Sequence, residues 1–251
     1  MPEAITSSSS TIRTFAIPPT LLSVNEDPYR ELRVGFTAAV SHELRTPLAR
    51  LLALIEGATL PGADPVAALQ QARAEVELMD ELIDDVLFLS ELETGREVVS
   101  LGSTRAAPLL REIVTELDER SERAGVALRV AVEDEELELP LRARMLRIVV
   151  QNLSENALRH AGEGATCVIS LQRQNGARLL SVADNGVGVD PRDVPRLFER
   201  FFRSDRARAS RGSGLGLAIV KHVLNRHRGR LDIASTLGKG STFTVWLRAA
   251  D

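Results

Sequence analysis

Val40-Ser41-His42-Glu43-Leu44-Arg45-Thr46-Pro47-Leu48 sits inside a run whose apolar residues recur every three or four positions. Phe36, Val40, Leu44, Leu48, Leu51 and Ile55 keep that spacing and predict a helix with one buried stripe. Successive helical residues turn by about 100°, so His42 falls roughly opposite Val40 and Leu44. Thr46, four positions on, shares the exposed face with His42, and Glu43 follows directly. A solvent-facing imidazole beside an acid suits a nucleophile with a helper base. Alone, such a histidine reads as a solvated surface residue, so the decision rests on the rest of the chain.

Asp27-Pro28 and Asp64-Pro65 repeat a helix-start signature, an N-cap acid followed by proline at the first helical position. They predict one helix over 28–59, with a kink near Pro47, and a second from 65 to a stop at Gly95. Leu60-Pro61-Gly62-Ala63 makes the turn between them. In the second helix Leu69, Ala72, Val76, Met79, Ile83 and Val86 form a heptad seam. A two-helix hairpin cannot enclose that much apolar surface, whereas two copies packed as a four-helix bundle can. The expectation is a homodimer.

Past about residue 107 the pattern becomes mixed. Helices are expected over 108–124, ending at Gly125, over 142–161, closed by Gly162, and over 215–227. Strands are expected over 126–132, over 166–173 and 178–183 around Gln174-Asn175-Gly176, and over 230–235 and 241–247 around Gly238-Lys239-Gly240. Helices on one face of a mixed, mostly antiparallel sheet make this part α+β. The chain therefore reads as multidomain: a leader or linker over 1–27, an all-α hairpin over 28–96 and an α+β domain over 105–249.

Composition narrows the function classes. Hydrophobic residues at 44% and charged residues at 26% are ordinary for a globular chain, and aromatics at 4% leave the core to Leu, Val, Ile and Ala. A net charge of −4 argues against nucleic acid as a partner. Cys167 is the single cysteine, which excludes an intrachain disulfide framework and fits a reducing compartment. No run has the roughly 18–20 apolar residues of a membrane-spanning helix, and the start lacks a signal-peptide pattern. The expectation is a cytoplasmic chain, or the cytoplasmic part of a membrane-bound sensor, with no membrane contact of its own.

Four further stretches follow the first in order: QNLSENALRHA (151–161), DNGVGVD (184–190), LFERFFR (197–203) and GSGLGLAIV (212–220). With SHELRTPL (41–48) they resemble the H-box, N-box, first Gly box, Phe box and second Gly box of bacterial sensor histidine kinases. Five motifs in order, spread over about residues 28 to 248, are specific where any one alone is weak. The resemblance implies a phosphoacceptor hairpin followed by a Bergerat-type ATP-binding sandwich, the fold shared with gyrase, heat-shock chaperone and mismatch-repair ATPases.

The resemblance also implies site residues. Asn152 and Asn156, four apart, face the same side of one helix, and Asn156 is expected to give an oxygen to Mg2+. ATP-hydrolysing relatives usually carry a water-activating Glu where this chain has Asn152, which favours phosphoryl transfer over hydrolysis. Arg159 and His160 match positions that approach the nucleotide. Asp184 ends a strand, where its carboxylate can accept the adenine amine, while Gly186 and Gly188 let the backbone approach the base. Gly212, Gly214, Leu215 and Gly216 precede a helix start whose free N–H groups suit phosphate. No Gly-Lys-Ser/Thr follows, so this is not a Walker loop, and no strand leads directly into it as in a Rossmann fingerprint.

The Arg-rich stretch between the Gly boxes (192–213) reads as a lid anchored by Phe198, Phe201 and Phe202. Arg203 is its best matched phosphate contact and Arg200 the second, while Arg206, Arg208 and Arg211 read as solvated. One departure stands out: relatives usually have His-Gly-Gly where this chain has His227-Arg228-Gly229, so Arg228 must adopt a backbone geometry that glycine supplies elsewhere.

The expected activity is ATP-dependent phosphorylation of His42, with Glu43 as its helper base, and transfer to an aspartate of a separate response regulator. Thr46, in His-Glu-x-x-Thr, is expected to position water for dephosphorylating that regulator. Two other readings are a mainly phosphatase or scaffold dimer with regulatory nucleotide binding, and a chaperone-like ATPase.

Overall fold

The three- and four-residue apolar spacing of the first part becomes a helical hairpin, α1 (Glu26–Ala58) and α2 (Pro65–Thr94). The structure, a computed structural model, describes residues 15–16, 26–94, 102–174, 176–204 and 212–248. Helix α1 starts at Glu26, two residues before the expected Pro28. Proline is tolerated there because first-turn N–H groups have no intrahelical partner. Asp64 caps α2 as expected, its Oδ1 accepting the Val66 and Ala67 N–H groups at 3.0 and 3.1 Å. Pro47 is buried and cannot donate to the Glu43 carbonyl, yet the helix runs on through it. Gly95, the expected stop of α2, lies outside the described residues.

The circumference of α2 is divided. Leu82, Leu89 and Leu92 are buried in one core with residues of the second domain. Ala72, Met79 and Val86 are half-buried on the next arc, within the hairpin. Leu69, Val76, Ile83 and Leu87 remain exposed, as do Leu48, Leu52 and Ile55 of α1. The stripe expected to be buried on α1 is therefore only partly covered within one chain.

The second domain is a six-stranded sheet with helices on one face. Its strands are β1 (Phe15–Ala16), β3 (Ala127–Val132), β5 (Thr166–Gln174), β6 (Ala177–Asp184), β7 (Arg230–Thr236) and β8 (Gly240–Arg248). Their spatial order is β1-β7-β8-β6-β5-β3, with β3 and β5 parallel and every other pair antiparallel. Alternation sends Cys167, Ile169 and Leu171 of β5, and Phe243, Val245 and Leu247 of β8, into the core. There they meet α3 (Ala106–Glu116), α5 (Ala143–His160) and α6 (Gly216–Arg226). The helix expected over 108–124 instead breaks at buried Leu117, after which α4 (Asp118–Ala124) ends on Gly125 in the left-handed region. A small ladder was not legible in the sequence: β2 (Thr104–Arg105) pairs with β4 (Glu138–Leu139), each too short for a periodic signal.

Candidate functional site

The carboxyl end of β6 places the first site residue. Asp184 sits across from Cys167 on β5 and Ser241 on β8, half-buried, so its carboxylate emerges from the sheet rather than from a loop. Its Oδ1 accepts the Gly186 N–H at 2.9 Å. Burial raises its pKa, and bonds from backbone N–H groups partly oppose that. The loop beyond is tied down on both sides. Asn185 Oδ1 accepts the Thr166 N–H at 2.7 Å, Val187 donates to the Ala161 carbonyl at 3.0 Å and Gly238 donates to Val187 at 2.7 Å.

Gly186 and Gly188 have a structural reason here beside the one expected. A Cβ on Gly186 would lie 2.2 Å from the Ala161 carbonyl oxygen, and one on Gly188 would lie 2.2 Å from that of Thr236. These glycines let the loop seat on the end of α5 and on β7, so what they clear is protein backbone. Gly186 does not line the cavity, whereas Gly188 does.

That cavity, about 590 Å3, is bounded by α5, the loop after β6, the glycine-rich turn before α6 and one face of α2. Its size falls within the roughly 300–1,000 Å3 of small-molecule sites. Asn152, Asn156, Arg159, His160, Asp184, Gly188, Arg203, Gly212, Gly214 and Gly216 all line it. Asn152 Nδ2 donates to the Ile148 carbonyl at 2.8 Å, and a Cβ on Gly216 would meet Asn152 Oδ1 at 2.3 Å. Asn152 therefore also seats the start of α6 on α5. Burial and the cations Arg159 and Arg203 hold His160 below the usual histidine pKa, so its ring is neutral near pH 7.

Two expectations change. Leu215 is fully buried with its side chain in the core, so only its backbone is near the loop. Arg200 lies over the Phe36 ring, 5.0 Å from its centroid, and does not line the cavity. Arg206, Arg208 and Arg211 lie outside the described residues. Phe201 holds the Phe box to the Gly box: its N–H donates to Gly214 at 3.0 Å from a left-handed backbone, φ 61°. Its ring meets that of Phe36 at 5.8 Å.

On α1, His42 is 72% exposed and its Nδ1 is 3.5 Å from Glu43 Oε1. Thr46 is exposed one turn away, its hydroxyl 3.4 Å from the His42 carbonyl. Neither His42, Glu43 nor Thr46 lines the cavity.

Residues 142–251 match the family described as histidine kinase-, DNA gyrase B- and HSP90-like ATPase, and residues 32–95 match the His Kinase A (phospho-acceptor) domain. The two matches together take in well over half of the chain, with the exposed histidine in one and the cavity in the other. This chain belongs to the sensor histidine kinase family. It is 40% identical over 223 residues to the phosphate regulon sensor protein PhoR of Pseudomonas aeruginosa, covering 85% of this chain and 49% of PhoR. The kinase core thus spans about half the length of the curated relatives it matches. In fold it resembles the Acinetobacter baumannii histidine kinase AdeS, with a TM-score of 0.69 at 22% identity, covering 84% of this chain and 98% of that one. It also resembles full-length ShkA solved in complex with AMPPNP, with a TM-score of 0.63 at 28% identity, covering 85% of this chain and 46% of ShkA.

The kinase core brings residues to the cavity that the motifs did not. Glu81, Asp84 and Asp85 of α2 face it, as does Arg120 of α4, and Glu155 of the N-box lies beside them. The signal for α2 was the one-turn step from Glu81 to Asp85, which puts both on one helical face. That this face meets the catalytic domain is a tertiary fact with no local sign.

Proposed function

We propose that this chain is a kinase core that phosphorylates His42 from Mg-ATP and passes the phosphoryl group to an aspartate of a response regulator. The observation that carries the proposal is one cavity holding the Asn pair, a strand-end carboxylate and a glycine-rich helix entry, in a chain whose hairpin exposes His42 beside Glu43. The residues fit an adenine nucleotide. Asp184 offers an acceptor for the exocyclic amine, and the N-terminus of α6 offers free N–H groups for phosphate. Asn156 would hold Mg2+ through its amide oxygen, a hard ligand, and the ion when bound neutralises charge on the phosphates. Arg203 and Arg159 also line the cavity, and both act on His160.

The nearness of Nδ1 to Glu43 leaves Nε2 as the attacking atom. Its lone pair forms the bond to the γ-phosphorus while the bond to the bridging oxygen breaks and its electrons leave with ADP. The Nδ1 proton passes to Glu43 as positive charge develops on the ring. The 3.5 Å separation is long for a hydrogen bond and shortens in the reacting complex. Because His42 lies outside the cavity, transfer requires the catalytic domain to leave α2 or a second copy to bring its own cavity to this histidine.

Exposed apolar residues on both hairpin helices support a homodimer built as a four-helix bundle. Thr46, on the face of His42, is assigned to positioning water for dephosphorylating the regulator. Use of ATP and of a response regulator supports a cytoplasmic location for this core.

Incubation with γ-labelled Mg-ATP tests the proposal. Acid-labile, alkali-stable label on the native chain that is absent from His42→Gln is the expected result. Label that persists in that variant, or never forms although ATP binds, would overturn it. In the same assay Thr46→Ala should keep autophosphorylation and lose regulator dephosphorylation. Parallel loss of both would remove the role given to Thr46.

A further inference from the structure

Helix α2 is more than a wall of the cavity, because its acids hold the phosphate end of the site. Asp85 Oδ2 accepts a hydrogen bond from the Ser213 hydroxyl at 2.8 Å, and the same hydroxyl oxygen accepts the Leu215 N–H at 3.2 Å. Glu81 lies 3.7 Å from Arg159 and 3.5 Å from Arg120, and Glu155 shares both arginines, at 3.0 and 2.6 Å. Arg159 in turn rests against Gly212, where a Cβ would lie 3.2 Å from its Nη1. The serine between two loop glycines and the arginine beneath the loop thus both make polar contacts to the hairpin. Carboxylate and phosphate oxygens compete for such donors.

Building on the nucleotide reading above, we propose that Glu81 and Asp85 are positioning residues that hold Arg159 and Ser213 on the hairpin through donors a triphosphate also engages. The triphosphate of ATP, and not its nucleoside part, then frees the catalytic domain from α2. The adenine end has no share in this contact, because Asp184 and its loop are tied to the sheet and to the end of α5. The contact is also poised to open. Asp85 is half-buried beside Glu81, and this loss of hydration pushes its pKa up to about 6 even though Ser213 and Arg159 stabilise the charge. Near neutral pH an ionised, poorly hydrated carboxylate is therefore held there.

The test titrates the native chain and a Glu81→Ala/Asp85→Ala variant with ATP and with adenosine by calorimetry. Alongside, amide hydrogen exchange over residues 78–89 of the native chain is followed with each compound. The expected results are roughly tenfold tighter ATP binding by the variant, within the range of ordinary coupling between sites, and equal adenosine binding by both. In the native chain ATP speeds exchange along α2 and adenosine does not. Equal ATP affinity in the two proteins, a matching gain for adenosine, or α2 exchange unmoved by ATP would overturn the proposal while leaving the nucleotide site intact. Failure of the native chain to bind either compound would overturn the nucleotide site and this inference with it. The exchange measurement uses only the native chain, so it stands even if the variant misfolds.

Discussion

At the scale of single residues the chemistry rests on pairs. Glu43 contributes only if it takes the second ring proton of His42, so Glu43→Gln should lower autophosphorylation by about 100- to 10,000-fold. ATP affinity should stay unchanged, which calorimetry would check; an unaltered rate would remove the role. Arg228 is the residue-scale cost of a departure from the family pattern, since it holds φ at 52°. A side chain there costs about 1–2 kcal/mol, and glycine returns about 0.5–1 kcal/mol of that as chain entropy. Arg228→Gly should therefore raise stability by about 0.5–1 kcal/mol in urea denaturation followed by the single tryptophan, Trp246, in the same domain. The exposure of His42 and the placing of Asn156 and Asp184 at one cavity were legible in the sequence because each sits in a motif whose local element was also legible. Leu215 and Arg200 were misplaced because a motif fixes position along the chain but not which way a side chain turns. The Phe36 ring that receives Arg200 is 164 residues away in sequence, as 200 minus 36 gives.

At the scale of elements, apolar periodicity recovered the long helices and the five longer strands, while the two-residue strands β1, β2 and β4 were missed because each is too short to show a period. The break at Leu117 and the β2–β4 ladder have no periodic signal, and α1 starts before its apparent cap. The α2 face carrying Asp85 yields a pH prediction. Its pKa is near 6 when docked, above the ordinary value of 3.8. A raised pKa means that its contribution to docking is fully present below about pH 4 and is lost as pH rises through about 6. Glu81 and Glu155 add to this by repulsion, while Ser213 and Arg159 moderate it. Amide exchange along α2 should therefore quicken between pH 5 and 7, after correction for intrinsic rates. Asp85→Asn, which keeps an acceptor for Ser213, should flatten that dependence. A native profile already flat would show that Asp85 titrates as it does in water.

For the whole molecule, the exposed Leu69, Val76, Ile83 and Leu87 are the surface on which the second copy should sit. Light scattering should find the native chain dimeric at micromolar concentration and Leu69→Glu/Ile83→Glu monomeric with its fold intact. A variant that stays dimeric would place the interface elsewhere. The hairpin, the sandwich and their order were readable from the sequence because each depends on local periodicity and motif order. The seating of one upon the other was not, since it depends on side chains drawn from distant parts of the chain. That seating leaves α2 with little unclaimed surface. At 100° per residue, one arc serves the catalytic domain, the next α1 and a third, exposed and apolar, is the one proposed for a second copy, leaving a solvent strip through Arg73, Glu77 and Asp80. Random substitution along this helix should therefore be tolerated freely only on that single heptad-spaced line.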